Sequence, residues 1–350
     1  MSLNTSTPDS ELAAAALATR VHDDALVFDC LALPYVLDEP YTSRMVEGGV
    51  DAINVTIASD EETWDETLRR TEDALAKIEK SDVLLHARDG RDVRNAKRKG
   101  KIAVLLGTQG ATMLDQDLSR LERMHQLGFR YFAPSYTGAS IFADGCGEFR
   151  NAGLSILGQE LIAQANELRM IVDVSHCGHR SRADIAELAL FPACTHSNAY
   201  AVVKNDRNTQ DETIRVIAGK GGVIGICGLV RAVWPSAPTL DHMIAHIEHI
   251  VGLVGTEHVG LGLDFTEAFQ EAFHTGTHDR LEPPPRWRLL RPDIFGTPEE
   301  FYTATYPAGL GSIRLLPNLT RALCGRGYDE STIRNVLGGN WLRQLDTAAG

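Results

Sequence analysis

Eight short apolar runs recur along this chain, at 25–30, 50–57, 101–106, 129–133, 170–174, 192–195, 222–227 and 258–263. Each is rich in β-branched residues and has the length of a strand buried on both faces. Between them lie stretches with helical spacing, at 63–78, 114–127, 157–168, 180–188, 211–218 and 240–253. Leu127-Gly128 and Lys220-Gly221 supply glycines where helices end. Strand and helix repeated eight times predict parallel βα units. An open doubly wound sheet would carry a phosphate-binding glycine fingerprint after its first strand, whereas this chain reads Asp29-Cys30-Leu31-Ala32-Leu33-Pro34 there. Eight units in about 250 residues fit a (β/α)8 TIM barrel.

The expected organisation is an N-terminal helical extension over 1–24, with its helix at 10–20, and a single barrel domain over 25–346. Two segments break the rhythm. A Gly-rich loop, 136–153, follows the fourth strand, and a long insertion, 265–307, follows the eighth and contains Pro283-Pro284-Pro285. Loops of that length in a compact domain form lids or walls of binding sites.

Composition narrows the classes of partner. With 34 Lys+Arg against 47 Asp+Glu, the net charge of -13 opposes binding to nucleic acid or an anionic membrane, so small molecules are the expected ligands. Cys30, Cys146, Cys177, Cys194, Cys227 and Cys324 form no CxxC pair, which excludes a zinc knuckle and suits a reducing compartment. The first 24 residues lack a secretory layout, and no run of about 18 apolar residues occurs. A cytoplasmic protein without a membrane span is expected.

Barrels of this kind place chemistry at the C-terminal ends of their strands. The residues there are polar: Asp29, Gln109, Tyr136, Asp173, Ser175, His176, His196, Ser197 and Asp264, with Lys204-Asn205-Asp206-Arg207-Asn208 just beyond the sixth strand. His176 and His196 end adjacent strands, so two imidazoles can converge on one cation. A single such histidine would be read as a hydrogen-bonded core residue; the pair, with Asp264 at the eighth strand, points to a metal site. Asp264 suits a general base or a ligand. His242, His246 and His249 share helical spacing and are expected on an exposed face, while His274 and His278 are expected in a solvated loop. Cys146 is weighed as a soft ligand or nucleophile against ordinary burial.

Asp173-Val-Ser-His176, Thr195-His196-Ser197, Asp206-Arg207-Asn208 with Asp211, Gly262-Leu-Asp264-Phe265 and Leu337-Gly-Gly-Asn340-Trp-Leu-Arg343 occur in that order. Together they resemble the membrane (renal) dipeptidase family of zinc-dependent (β/α)8 amidohydrolase-type enzymes, over residues 27–345. The resemblance implies that His176 and His196 are the histidines of one zinc site, that Arg207, with Asn208 beside it, grips a substrate carboxylate, and that Asp264 is the acid/base. It also implies a homodimer.

The other half of the family's site is altered. Where the family has a His-x-Asp pair after the first strand this chain has Asp29-Cys30-Leu31; the bridging glutamate is Gln109, and the substrate-contacting histidine is Tyr136. A neutral amide cannot bridge two divalent ions as a carboxylate does. At most one zinc ion is therefore expected, held by His176, His196 and Gln109, with Asp264, Cys146 or Asp29 as further candidate ligands. Asp264 and Tyr136 are the expected catalytic residues. The leading reading is hydrolysis of an amide bond in a dipeptide or N-acyl amino acid. Its rival is a barrel that binds a carboxylated ligand or a partner without hydrolysis, and a metal-free chemistry on Asp29, Tyr136 or Cys146 stands third.

Overall fold

The computed structural model describes residues 8–276, 290–303 and 306–350. Nine parallel strands appear in it: β1 (Phe28–Ala32), β2 (Ala52–Ala58), β3 (Leu84–His86), β4 (Ile102–Thr108), β5 (Phe129–Phe132), β6 (Ile171–Asp173), β7 (Pro192–Ala193), β8 (Ile224–Ile226) and β9 (Val259–Leu261). The pairing order β7-β6-β5-β4-β2-β1-β9-β8 makes an eight-stranded sheet. It closes through a parallel bridge between Cys194 and Ile224, where the Cys194 N–H meets Val223 O at 3.0 Å and Gly225 N–H meets Cys194 O at 2.7 Å. The chain is a (β/α)8 barrel, and each of the eight apolar runs overlaps one of its strands.

β3 is an addition to the expected rhythm. It pairs with the first half of β4, Ile102 to Val104, while β5 takes the second half of the same edge, Leu106 to Thr108. A helix, Gly90–Arg98, follows it, with Asp89 as its N-cap. Two half-buried residues in a three-residue strand leave no continuous apolar run to read. The expected helix over 114–127 divides into a turn at Thr112–Leu114 and a helix at Ser119–Leu127, ended by Gly128 with φ at +107°.

The floor of the barrel is plugged from the C-terminus. Trp341, in the helix Asn340–Ala349, is fully buried against Phe28 and Tyr131, and its Nε1 donates to Leu261 O at 2.9 Å. A Cβ on Gly260 in β9 would collide with the indole, so that strand position accepts only glycine. Truncating the tryptophan would cost about 3–5 kcal/mol. The N-terminal helix, Pro8–Asp24, lies against the helix Pro317–Gly325, where His22 Nδ1 meets Thr320 Oγ1 at 2.7 Å. No helix among the described residues is long and apolar enough to cross a membrane.

Candidate active site

His176 and His196 are fixed by one buried carboxylate. Asp173, at the end of β6, accepts four hydrogen bonds: Ser175 N–H at 3.0 Å, Ser175 Oγ at 2.5 Å, Thr195 N–H at 2.8 Å and Thr195 Oγ1 at 2.6 Å. The loops beyond β6 and β7 are thereby tied together. Thr195 gives its hydroxyl hydrogen to Asp173, so it accepts the Nδ1–H of His196 at 2.7 Å and leaves Nε2 of that ring with its lone pair. Nδ1 of His176 lies 3.0 Å from Thr137 Oγ1. The two Nε2 atoms converge to 2.9 Å.

Both imidazoles are held neutral. Burial pushes each well below its ordinary range, and the nearby guanidiniums of Arg207 and Arg182 push the same way. Arg207 is 3% exposed; its Nη1 donates to Ser175 O, and its Nη2 stands 3.5 Å from both His176 Nε2 and His196 O. Among the described residues no carboxylate pairs with it within 4 Å, so its charge remains available to an anionic ligand. Arg182, fully buried and absent from the expected set, spans the carbonyls of Val174, Ser175, Asp206, Arg207 and Asn208. It shapes the loop that carries Arg207. Asn208 serves the same loop with its amide hydrogens, which go to Val203 O and Ala232 O at 2.9 Å, while its buried Oδ1 has no partner among the described residues.

The other wall is set by Asp60, which is absent from the expected set. Its Oδ1 accepts Ala111 N–H and Thr112 N–H at 3.0 Å and Thr112 Oγ1 at 2.6 Å, and its Oδ2 accepts Tyr136 N–H at 2.6 Å. Gln109 precedes the first of these, and its Nε2 stands 3.4 Å from His196 Nε2. The Tyr136 ring lies 4.2 Å from that of His176, tilted by 32°. Cys146 N–H donates to His176 O at 2.7 Å, bringing the Gly-rich loop to the site; burial raises its thiol, against a nucleophilic role.

Asp29 and Asp264 complete the cluster. Asp29 Oδ1 accepts Leu31 N–H at 3.3 Å and Leu263 N–H at 2.8 Å, while its buried Oδ2 has no partner among the described residues. Burial raises its carboxyl to about 7, with the negative charge of Asp264 adding to the shift. Asp264 holds a left-handed backbone, φ +54°, and its carbonyl accepts the Tyr306 hydroxyl. Its negative charge raises both the Asp29 carboxyl and the Arg207 guanidinium, so it lies near both.

The remaining histidines are elsewhere. His246 is fully buried, contrary to the expected exposed face, because its ring bridges Ala199 N–H at 3.2 Å and Val233 O at 2.9 Å. His242 closes a capping box with Thr239 and stacks on Trp234, and His249 meets Asp211 at 2.9 Å. His274 is exposed, while His278 and Pro283-Pro284-Pro285 lie outside the described residues. The insertion is anchored through Arg291, which pairs with Asp206 at 2.7 Å and donates to Cys146 O and Gly147 O.

The two imidazoles bring two nitrogen donors toward one point. Two nitrogens at about 2.0–2.1 Å in a tetrahedral shell stand about 3.3 Å apart, near the separation of the two Nε2 atoms. Gln109 can turn its carboxamide oxygen toward the same point by a flip. Among the described residues no three His, Cys, Asp or Glu side chains form a complete metal-binding group, so the two imidazoles are the core of any such site.

A parallel barrel with paired histidines at its rim is the frame of a metal-dependent hydrolase. The chain belongs to the membrane dipeptidase family, peptidase family M19, whose family model matches residues 38–280. It is 34% identical to an uncharacterized dipeptidase of Schizosaccharomyces pombe over 177 residues, 48% of this chain and 42% of that protein. It is 26% identical to the dipeptidase verJ of Clonostachys rogersoniana over 271 residues, 76% of this chain and 61% of that protein. The match therefore spans only about half the length of these relatives. Among solved structures, an amidohydrolase from Pseudomonas aeruginosa superposes with a TM-score of 0.80 at 26% identity, covering 95% of this chain and 98% of that one. A metallo peptidase from Rhodobacter sphaeroides, liganded with a phosphinate mimic of L-Ala-D-Ala, shares the fold with a TM-score of 0.75 at 22% identity, covering 92% and 99%.

Proposed function

We propose that this protein hydrolyses an amide bond in a small carboxylated substrate, a dipeptide or an N-acyl amino acid, with one metal ion, zinc by preference, at His176 and His196. The observation that carries the reading is the pair of neutral imidazoles whose Nε2 atoms converge to 2.9 Å. Relatives called dipeptidases support the reaction class. When bound, the ion would polarise the scissile carbonyl and make water acidic enough to attack near neutral pH.

The chain's own residues supply the rest. Arg207, buried beside the histidines, holds the substrate carboxylate through its forked donors. Asp264 takes the proton of the attacking water on a carboxylate oxygen and returns it to the departing amine nitrogen. Tyr136, its ring 4.2 Å from that of His176, borders the scissile bond and shields the imidazole from solvent. The six unpaired cysteines fit a reducing, cytoplasmic setting.

A second reading, ligand binding without hydrolysis, is favoured by one contact: the Arg207 guanidinium is 3.5 Å from the nitrogen that a metal would need. Elemental analysis of protein purified without chelator separates the two. About one ion per chain, lost in His196→Ala, together with turnover in a dipeptide and N-acyl amino acid screen, supports the hydrolase. No ion after zinc is offered, with ligand-induced stabilisation but no turnover, selects the binding protein.

A further inference from the structure

At the end of the barrel opposite the histidines, the segments leading into β5 and β6 and the C-terminal helix enclose a cleft of about 250 Å³. Arg88, Arg130, Arg169 and His125 line it, with Leu345 behind and Asp89 as its acidic residue. Such a concentration of cations is unexpected in a chain of net charge -13.

Backbone carbonyls hold two of the arginines. Arg130 donates from Nε to Arg88 O at 2.8 Å and from Nη1 to His125 O at 3.1 Å and Phe129 O at 2.8 Å. Arg169 donates to Ala348 O and Thr347 O, each at 2.8 Å, with its guanidinium over Phe191. Among the described residues none of the three arginines pairs with a carboxylate, and the Arg88 guanidinium makes no hydrogen bond. The nearby acids bond other donors. Asp89 caps the helix Gly90–Arg98 and is gripped by Arg91 at 2.6 Å, and Asp92 accepts the Arg88 N–H at 2.9 Å. His86, whose buried Nε2 has no partner among the described residues, is held neutral by burial and by Arg88 and Arg130. Guanidiniums that converge while the neighbouring carboxylates bond other donors still repel one another, as Arg88 shows by adding to the lowering of Arg130 that burial causes, and a compact multivalent anion relieves that repulsion while accepting forked donors.

We propose that this cleft binds a small phosphate-bearing anion, with Arg88 and the free Nη2 of Arg130 as its donors and His125 at its edge. The chemistry is shared by inorganic phosphate and by phosphomonoesters, and the cleft's position separates it from the amide-hydrolysing rim.

The test is isothermal titration at low ionic strength with inorganic phosphate and, separately, glycerol 3-phosphate, using chloride at matched ionic strength as the control. One-to-one saturable binding of either probe is expected, and tighter binding of the ester would identify the organic source. Arg88 is exposed and makes no side-chain bond, so Arg88→Ala and Arg88→Glu should fold normally. Arg88→Ala should weaken binding about tenfold, the loss of one charge-assisted contact, and Arg88→Glu should abolish it, both with rim ligand binding unchanged. Failure of both probes to saturate overturns the proposal, as does equal displacement by chloride or an affinity indifferent to both variants. None of these outcomes depends on whether the rim hydrolyses amides.

Discussion

The carboxylate of Asp60 accepts the backbone N–H of Tyr136 at 2.6 Å, so a residue just beyond β2 fixes the loop beyond β5. The same carboxylate holds Ala111 and Thr112, next to Gln109. Asp60→Ala leaves four donors without their acceptor and should cost about 2–4 kcal/mol in urea unfolding, with loss of turnover. Asp60→Asn retains one acceptor oxygen and should lose less. An Asp60→Ala protein with wild-type stability and turnover would show that this tie does not shape the site.

Thr195 tests whether the neighbours of a ligand tune it. Its hydroxyl fixes which nitrogen of His196 carries the hydrogen, and valine has the same shape without that oxygen. Thr195→Val should fold, lose about 1–3 kcal/mol from the unsatisfied bond to Asp173, and bind zinc about 10–100-fold more weakly in a chelator competition. Unchanged zinc affinity would detach His196 from the metal.

The eight barrel strands were legible because strands buried on both faces read as unbroken apolar runs, and the site histidines because they end two of those runs. What escaped lacked such a signature. β3 is three residues long with a partly exposed edge, so its pattern resembles a turn. Asp60 stands beside Glu61 and Glu62 and looks solvated, and only the folded chain brings four N–H and O–H groups to it. His246 follows a helical spacing that suits an exposed face, yet Met243, Ile244, Ile247 and Ile250 around it are fully buried and draw it inward. Arg182 carried no signal, since its partners are all carbonyls.

Arg207 should discriminate ligands by charge. Arg207→Ala should weaken binding of a dipeptide or N-acyl amino acid about 10–100-fold, the range of a hydrogen bond to a charged group, while the matching C-terminal amide changes little. Calorimetry on a non-hydrolysable analogue reads this directly. An equal loss for acid and amide would mean that Arg207 acts by holding Ser175 and the histidine loop.

Asp29 links the site to pH. Its carboxyl is raised from 3.8 to about 7 by burial, so the folded state keeps a proton that the unfolded chain has already released. That contribution to stability is fully present below about pH 4 and is lost as pH rises through 7. His246 runs the other way: lowered from 6.5 to about 4, it contributes stability above 6.5 that disappears as pH falls through 4. The two oppose each other in wild-type protein, and removing one exposes the other. In metal-free protein Asp29→Asn keeps Oδ1 for Leu263 but cannot titrate, so the variant should gain relative to wild type on going from pH 5 to pH 8, by about 2.5 kcal/mol. His246 contributes equally to both proteins and cancels in the difference. A difference between the two unfolding free energies that stays flat from pH 5 to 8 would mean that Asp29 is ionised throughout.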